Sequence, residues 1–152
     1  MATATKIDWT NHALEKLAAA GFRRGGARTA VVEALADQDC AVSAFELEEY
    51  LERREADVGR ASIYRALEQL ADLDLLKRVE VFRGTTSYER IDPGGGHHHH
   101  AICADCGKLI PFEDNSLERA IDKIAGRIDF DVTEHDVVLR GHCGHCGKSR
   151  QD

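Results

Sequence analysis

The chain has 152 residues, 43% hydrophobic and 31% charged, a globular balance that leaves room for one ordinary domain or two small ones. Its 27 Asp and Glu outnumber 20 Lys and Arg, for a net charge of −7, so a basic surplus does not advertise a nucleic-acid binder. No apolar run is long enough for a transmembrane helix, and Asp8, Glu15 and Lys16 interrupt the stretch a signal peptide would need. A cytoplasmic protein is expected, with its five cysteines reduced and available to metal rather than paired as disulfides.

In chain order, Asn11–Ala20 and Arg28–Ala36 carry helix-spaced apolar residues with Gly25-Gly26 between them. Ser43 and Glu46 form an S-x-x-E capping box, and Phe45, Leu47 and Leu51 supply the apolar side of the helix behind it. Ala61–Leu73 places Ile63, Leu67 and Leu70 on one stripe. Leu76–Phe82 and Thr85–Ile91 then read as two strands around Arg83-Gly84. Helices followed by a β-hairpin suggest a winged helix-turn-helix over residues 1–91. Asp92-Pro93-Gly94-Gly95-Gly96 reads as a hinge, 92–96.

Residues 97–152 form a second module, rich in cysteine and histidine. Leu117, Ala120, Ile121, Ile124, Ala125 and Ile128 follow helical spacing, and β-prone runs lie at His97–Cys103, Lys108–Phe112 and Val132–Arg140. The fold class expected is α+β, a winged helix-turn-helix domain followed by a small α/β domain. The second module is small for its own core, so a metal or a partner subunit is expected to stabilise it.

Cys103-Ala104-Asp105-Cys106 and Cys143-Gly144-His145-Cys146 each continue as Gly-Lys. A C-x-x-C turn brings two thiolates within reach of one ion, and two such turns make the closed tetrahedral S₄ set of structural Zn²⁺. The C-x-x-C of nucleobase deaminases is accompanied by an upstream H-x-E, which this sequence lacks. His97-His98-His99-His100 leads through Ala101-Ile102 into Cys103. On a strand, alternate side chains point to opposite faces, so His97 with His99 and His98 with His100 would form two separate ligand pairs. Further ligands would come from among Glu89, Glu113, Asp114, Glu118, His135 and Cys40.

From about Leu14 to Cys146 the sequence resembles the ferric uptake regulator family of metal-dependent bacterial repressors. Ala61-Ser62-Ile63-Tyr64-Arg65-Ala66-Leu67 is similar to the family's recognition-helix signature, and His97–Gly107 to its central metal motif. Glu118, His135 and the closing C-x-x-C follow at the family's distances. The resemblance implies a C-terminal dimerisation domain, a homodimer and a double-stranded DNA operator, with no membrane and no small-molecule substrate as partners. It implies structural zinc on Cys103, Cys106, Cys143 and Cys146, and a dimerisation-domain site of His97, His99, Glu118 and His135. It further implies a sensory hinge site that includes Glu89, His98 and His100. Where the family often has a fourth, histidine ligand, this chain has Cys40-Ala41-Val42-Ser43, leaving Cys40, a water or another carboxylate to complete the shell. The Asp and Cys ligands of one actinobacterial zinc-sensing subgroup are also missing, since Lys77 and Ile91 occupy those positions.

The function expected is a metal-dependent transcriptional repressor of metal-uptake genes. Arg60, Ser62, Tyr64 and Arg65 would meet DNA, and the regulatory ion would be Zn²⁺ or Fe²⁺. Sulfur and imidazole around Cys40 favour zinc over iron. Iron-responsive and peroxide-sensing regulators of the same family are the alternatives. A metalloenzyme is the reading from another class, but it would need an open metal position, which four protein ligands close.

Overall fold

The computed structural model describes residues 2–82, 84–93 and 97–149 and separates into two compact units, Met1–Gly96 and His97–Asp152. Of the hinge expected at 92–96, residues 94–96 lie outside the described ones.

The first unit runs α1 (Ala2–Ala19), α2 (Gly26–Ala36), β1 (Val42–Ser43), α3 (Ala44–Arg53), α4 (Arg60–Asp72), β2 (Leu76–Phe82) and β3 (Thr85–Arg90). On α1, Trp9, Ala13 and Leu17 recur every fourth residue and are buried, which turns one face into the core. The helix begins earlier than the expected Asn11. On α3 the Ser43 side chain accepts from the Glu46 N–H while the Glu46 carboxylate accepts from the Ser43 N–H, the reciprocal box expected from sequence. On α4, Ile63, Ala66, Leu67 and Leu70 are buried with Leu35 and Leu47 in one continuous cluster.

β2 and β3 form an antiparallel hairpin turned at Gly84, whose φ of +78° suits glycine. The two-residue β1 adds to the far edge of β3, pairing Val42 with Tyr88, in the order β1-β3-β2. Two residues carry no periodicity, so this strand had no signal in the sequence. The hairpin is tied to α4 by polar contacts. Tyr88 donates its hydroxyl to Glu68 at 2.8 Å, and Arg78 donates to the other Glu68 oxygen at 2.7 Å. Burial, reinforced by Glu68, pushes the Tyr88 phenol up to about 12, while Arg78 and Tyr88 hold the Glu68 carboxyl below its usual range. Helices packed on a hairpin in this order make a winged helix-turn-helix with α4 in the recognition position.

The second unit contains β4 (His99–Cys103), β5 (Leu109–Phe112), α5 (Asn115–Arg127), β6 (Val138–Gly141) and α6 (Gly144–Ser149). β4 is central, antiparallel to β5 and parallel to β6. The strand expected over Val132–Arg140 shrinks to β6, and α6 was not anticipated. The apolar stripe of α5 is amphipathic as expected, yet it covers little within the chain. Ala125 is buried, whereas Ile124 is 51% and Ile128 63% exposed. Ile110, Phe130 and Leu139 are exposed as well. No helix is long and apolar enough to cross a membrane among the described residues.

Candidate metal centres and recognition helix

The parallel pairing of β4 with β6 explains how the two cysteine turns meet. The register sets Cys103 against Gly141, so both strands deliver their C-terminal ends, and the turns that follow, to one place. Gly107, at φ +72°, closes the first turn by donating its N–H to the Cys103 carbonyl at 2.9 Å. Gly147 donates to the Cys143 carbonyl at 2.8 Å in the same relation, which reflects the repeated C-x-x-C-G. The four sulfur atoms lie within 4.8 Å of one another, with Cys106 and Cys143 at 3.9 Å. A tetrahedron with Zn–S bonds of about 2.3 Å has S···S edges of about 3.8 Å. The set fits a zinc ion.

Backbone polarity prepares these thiols for metal. The Cys143 N–H donates to the Cys103 sulfur at 3.3 Å, and backbone N–H groups of Cys106 and Cys143 lower the Cys103 thiol to about 6. The Cys143 thiol is lowered by the Cys146 N–H, whereas Cys146, hydrogen-bonded to the Cys143 sulfur, is pushed up to about 12. One thiol therefore keeps its proton until a cation replaces it.

The second cluster lies on the opposite side of the histidine run from His98 and His100. His99 Nε2 stands 2.6 Å and His97 Nε2 3.5 Å from Glu118 Oε1, while His135 Nε2 is 2.7 Å from Oε2. His97 and His135 bring their Nε2 atoms to 3.2 Å. Ligand edges of about 3.3 Å are expected for a tetrahedron with metal–nitrogen and metal–oxygen bonds near 2.0–2.1 Å. Three elements contribute to this convergence. β4 and the residues before it carry the histidines, the first turn of α5 carries Glu118, and the segment before β6 carries His135. Asp114 caps α5 by accepting the Ser116 and Leu117 N–H groups, which fixes that first turn. His99 first, with His135 and His97, holds the Glu118 carboxyl below its usual range.

His98 and His100 come together as a second pair, their ring centroids 4.9 Å apart, against 5.0 Å for His97 and His99. Alternation thus extends to His97 and His98 although the strand begins at His99. Within the first unit, Cys40 Sγ and a Glu89 carboxylate oxygen lie within 4.8 Å. The β1–β3 register is the cause, because it draws the residues just before Val42 alongside those after Tyr88. Glu113 and Asp114, weighed as further ligands, do not belong to any ligand cluster among the described residues.

On α4, Tyr64 is 48% exposed, at the flank of the buried Ile63, Leu67 and Leu70 stripe. Arg65 donates to the Ala61 carbonyl at 3.3 Å. Arg60 is engaged by Glu48 at 3.0 Å, an ion pair that raises its already high pKa.

The chain matches the ferric uptake regulator family over residues 19–140. It belongs to that family. The Shigella flexneri ferric uptake regulation protein is 36% identical over 143 residues, covering 93% of each chain. Its Escherichia coli K12 counterpart is 35% identical over the same length, with 93% of each chain covered. The crystal structure of the Vibrio cholerae ferric uptake regulator superposes with a TM-score of 0.75 at 31% identity, covering 85% of this chain and 98% of that one. As a ferric uptake regulator family member, the chain is a metal-responsive DNA-binding regulator. Arg28, on α2, donates from Nε to Gln69 of α4 at 2.8 Å and follows Arg23 and Arg24 in an acidic chain.

Proposed function

We propose that this protein is a homodimeric repressor of metal-uptake genes that binds double-stranded DNA when a regulatory zinc ion is bound. The observation that carries the zinc assignment is the approach of Cys40 Sγ to Glu89 within 4.8 Å. With His98 and His100 from the second unit, these residues would give one sulfur, one oxygen and two nitrogens. That set suits Zn²⁺ better than Mn²⁺ or Fe²⁺, which favour more oxygen. Iron is the second reading, favoured by relatives at 35–36% identity named ferric uptake regulation proteins.

In this reading Cys103, Cys106, Cys143 and Cys146 hold a structural zinc, and His97, His99, Glu118 and His135 a further ion in the dimerisation domain. Closed four-residue sets favour binding over hydrolysis, because a catalytic metal needs an open position. The exposed apolar residues of the second unit, led by Ile124, Ile128 and Phe130, face a second copy of the chain.

A bound cation supplies Lewis acidity and charge that hold ligands together. Cys40 and Glu89 belong to the winged-helix unit, and His98 and His100 to the other, so holding all four together restricts how the units are arranged. Regulation then requires only that the metal-bound arrangement be the one that spaces two α4 helices for successive major grooves. Moving the population from 1:99 to 99:1 takes about 5.5 kcal/mol of differential affinity. Tyr64 would present its ring edge to thymine methyls, with Ser62, Arg65 and Arg60 nearby for bases or phosphate.

The test titrates Zn²⁺, Fe²⁺ and Mn²⁺ into chelator-treated full-length protein that keeps its structural zinc, measuring affinity for a duplex selected from a random pool. Zinc should activate at the lowest free concentration. Cys40→Ser should raise the zinc requirement by orders of magnitude. Unchanged zinc sensitivity in Cys40→Ser, with iron activating first, would overturn the zinc assignment in favour of iron.

A further inference from the structure

A cavity of about 300 Å³ opens on the first unit between α2 and α4, lined by Gly25, Ala27, Arg28, Ser62, Arg65 and Gln69. Its two cations are held only by neutral acceptors among the described residues. Arg28 donates from Nε to Gln69 Oε1 at 2.8 Å and from Nη1 to the Arg23 carbonyl at 2.6 Å. Arg65 donates to the Ala61 carbonyl. Elsewhere in this unit Arg54, Arg60 and Arg78 each face a carboxylate. In a chain with net charge −7, two guanidinium groups on one cavity with no carboxylate beside them leave a local positive field.

The lining leaves room for an anion. Gly25 contributes no side chain, and neither packing nor backbone demands a glycine there. A Cβ would meet nothing within 4 Å, and φ is −104°. Ser62 adds a hydroxyl donor from the same helix as Tyr64. Through Ser62 and Arg65 the cavity adjoins α4, the helix read above as entering the groove.

We propose that this cavity seats one DNA backbone phosphate between Arg28 and Arg65, fixing the depth and register of α4 while Tyr64 reads bases. The proposal rests on the DNA-binding reading of α4. It also explains how an acidic protein binds a polyanion, since two well-placed cations per protomer act locally while the bulk charge is screened beyond about 8–10 Å.

Affinity of the zinc-loaded full chain would be measured between 50 and 200 mM salt, on a duplex selected from a random pool and on a scrambled duplex. Arg28→Gln should weaken both duplexes by the same factor and flatten the log–log salt dependence by about 0.9 for each seat lost. Tyr64→Ala should weaken only the selected duplex. Because Arg28 also braces Gln69, a second variant separates binding from folding. Gly25→Asp places a capping carboxylate at the start of α2, so it should raise the melting temperature yet weaken both duplexes. A purely structural role would move stability and affinity in the same direction.

If both Arg28→Gln and Gly25→Asp retain wild-type affinity and salt slope, the phosphate seat is wrong. The seat is equally wrong if 10 mM inorganic phosphate shifts the Gly25 and Gly26 amide resonances while neither variant alters DNA binding, because the cavity would then take a free anion. Failure of the wild-type protein to bind any duplex would instead overturn the DNA-binding reading itself.

Discussion

Replacing Cys103 by Ser should unfold the second unit and dissociate the dimer while leaving the winged helix intact. The expectation follows from how little the second unit buries by itself. Among its described residues, Ile102, Cys103 and Ala125 are the buried apolar ones, joined by His99 and His100. Burying an isoleucine contributes about 1.5–3 kcal/mol, whereas ordering each residue costs about 1–2 kcal/mol of backbone entropy. A structural zinc contributes about 10–16 kcal/mol, as much as the whole stability of a typical domain at about 5–15 kcal/mol. The first unit, by contrast, has a continuous cluster from Trp9 to Tyr88.

The assay can read the units separately, because Trp9, buried in the first unit, is the chain's one tryptophan. Its fluorescence should stay native in Cys103→Ser. Far-UV ellipticity should fall by about a quarter, the share of helical residues carried by α5 and α6. Light scattering should report a monomer, and mass spectrometry no zinc at the cysteine set. A zinc-free Cys103→Ser protein that remains dimeric with full ellipticity would refute the claim that this ion holds the unit together.

The two faces of the histidine run should respond differently to substitution. His98→Ala and His100→Ala should abolish metal-activated DNA binding, while His97→Ala and His99→Ala should mainly lower metal content and dimer stability; equal losses from all four would point to one shared site. Zinc uptake by the cysteine set should release protons with a defined pH dependence. At pH 8 the Cys103 thiol, at about 6, is already ionised, whereas Cys146, at about 12, must give up its proton to the ion. Zinc affinity should therefore rise with pH, and more steeply by one proton below about pH 6, where Cys103 also protonates. Calorimetry in two buffers of different ionisation enthalpy measures this, and zinc uptake without proton release at pH 8 would contradict it.

Local chemistry made much of the molecule legible. The capping box of α3, the apolar stripe of α4 and the hairpin around Gly84 are short-range features whose cause lies within a few residues. The repeated C-x-x-C-G implied an S₄ set for the same reason, since each turn carries its own geometry. Alternation in the histidine run also needed only strand periodicity. The family resemblance added Glu118 and His135 to one histidine pair and Glu89 to the other, a choice spacing left open among several carboxylates, and it left the fourth hinge ligand open between Cys40, a water and another carboxylate.

What only the tertiary structure decided are the meetings of residues far apart in the chain. A two-residue strand has no periodic signature, yet the β1–β3 register is what brings Cys40 to Glu89. Parallel pairing of β4 with β6 sends both cysteine turns to one end of the sheet, and an antiparallel partner would have separated them. The α5 stripe was legible as amphipathic by spacing, and Ile124 and Ile128 remain exposed within the chain. Amphipathic spacing records that a face must be covered and not what covers it. Sequence thus determined which residues could bind metal or enter a groove, because donor chemistry and local periodicity are properties of single residues and short segments. Packing decided which of them converge, because long-range pairing depends on the whole fold.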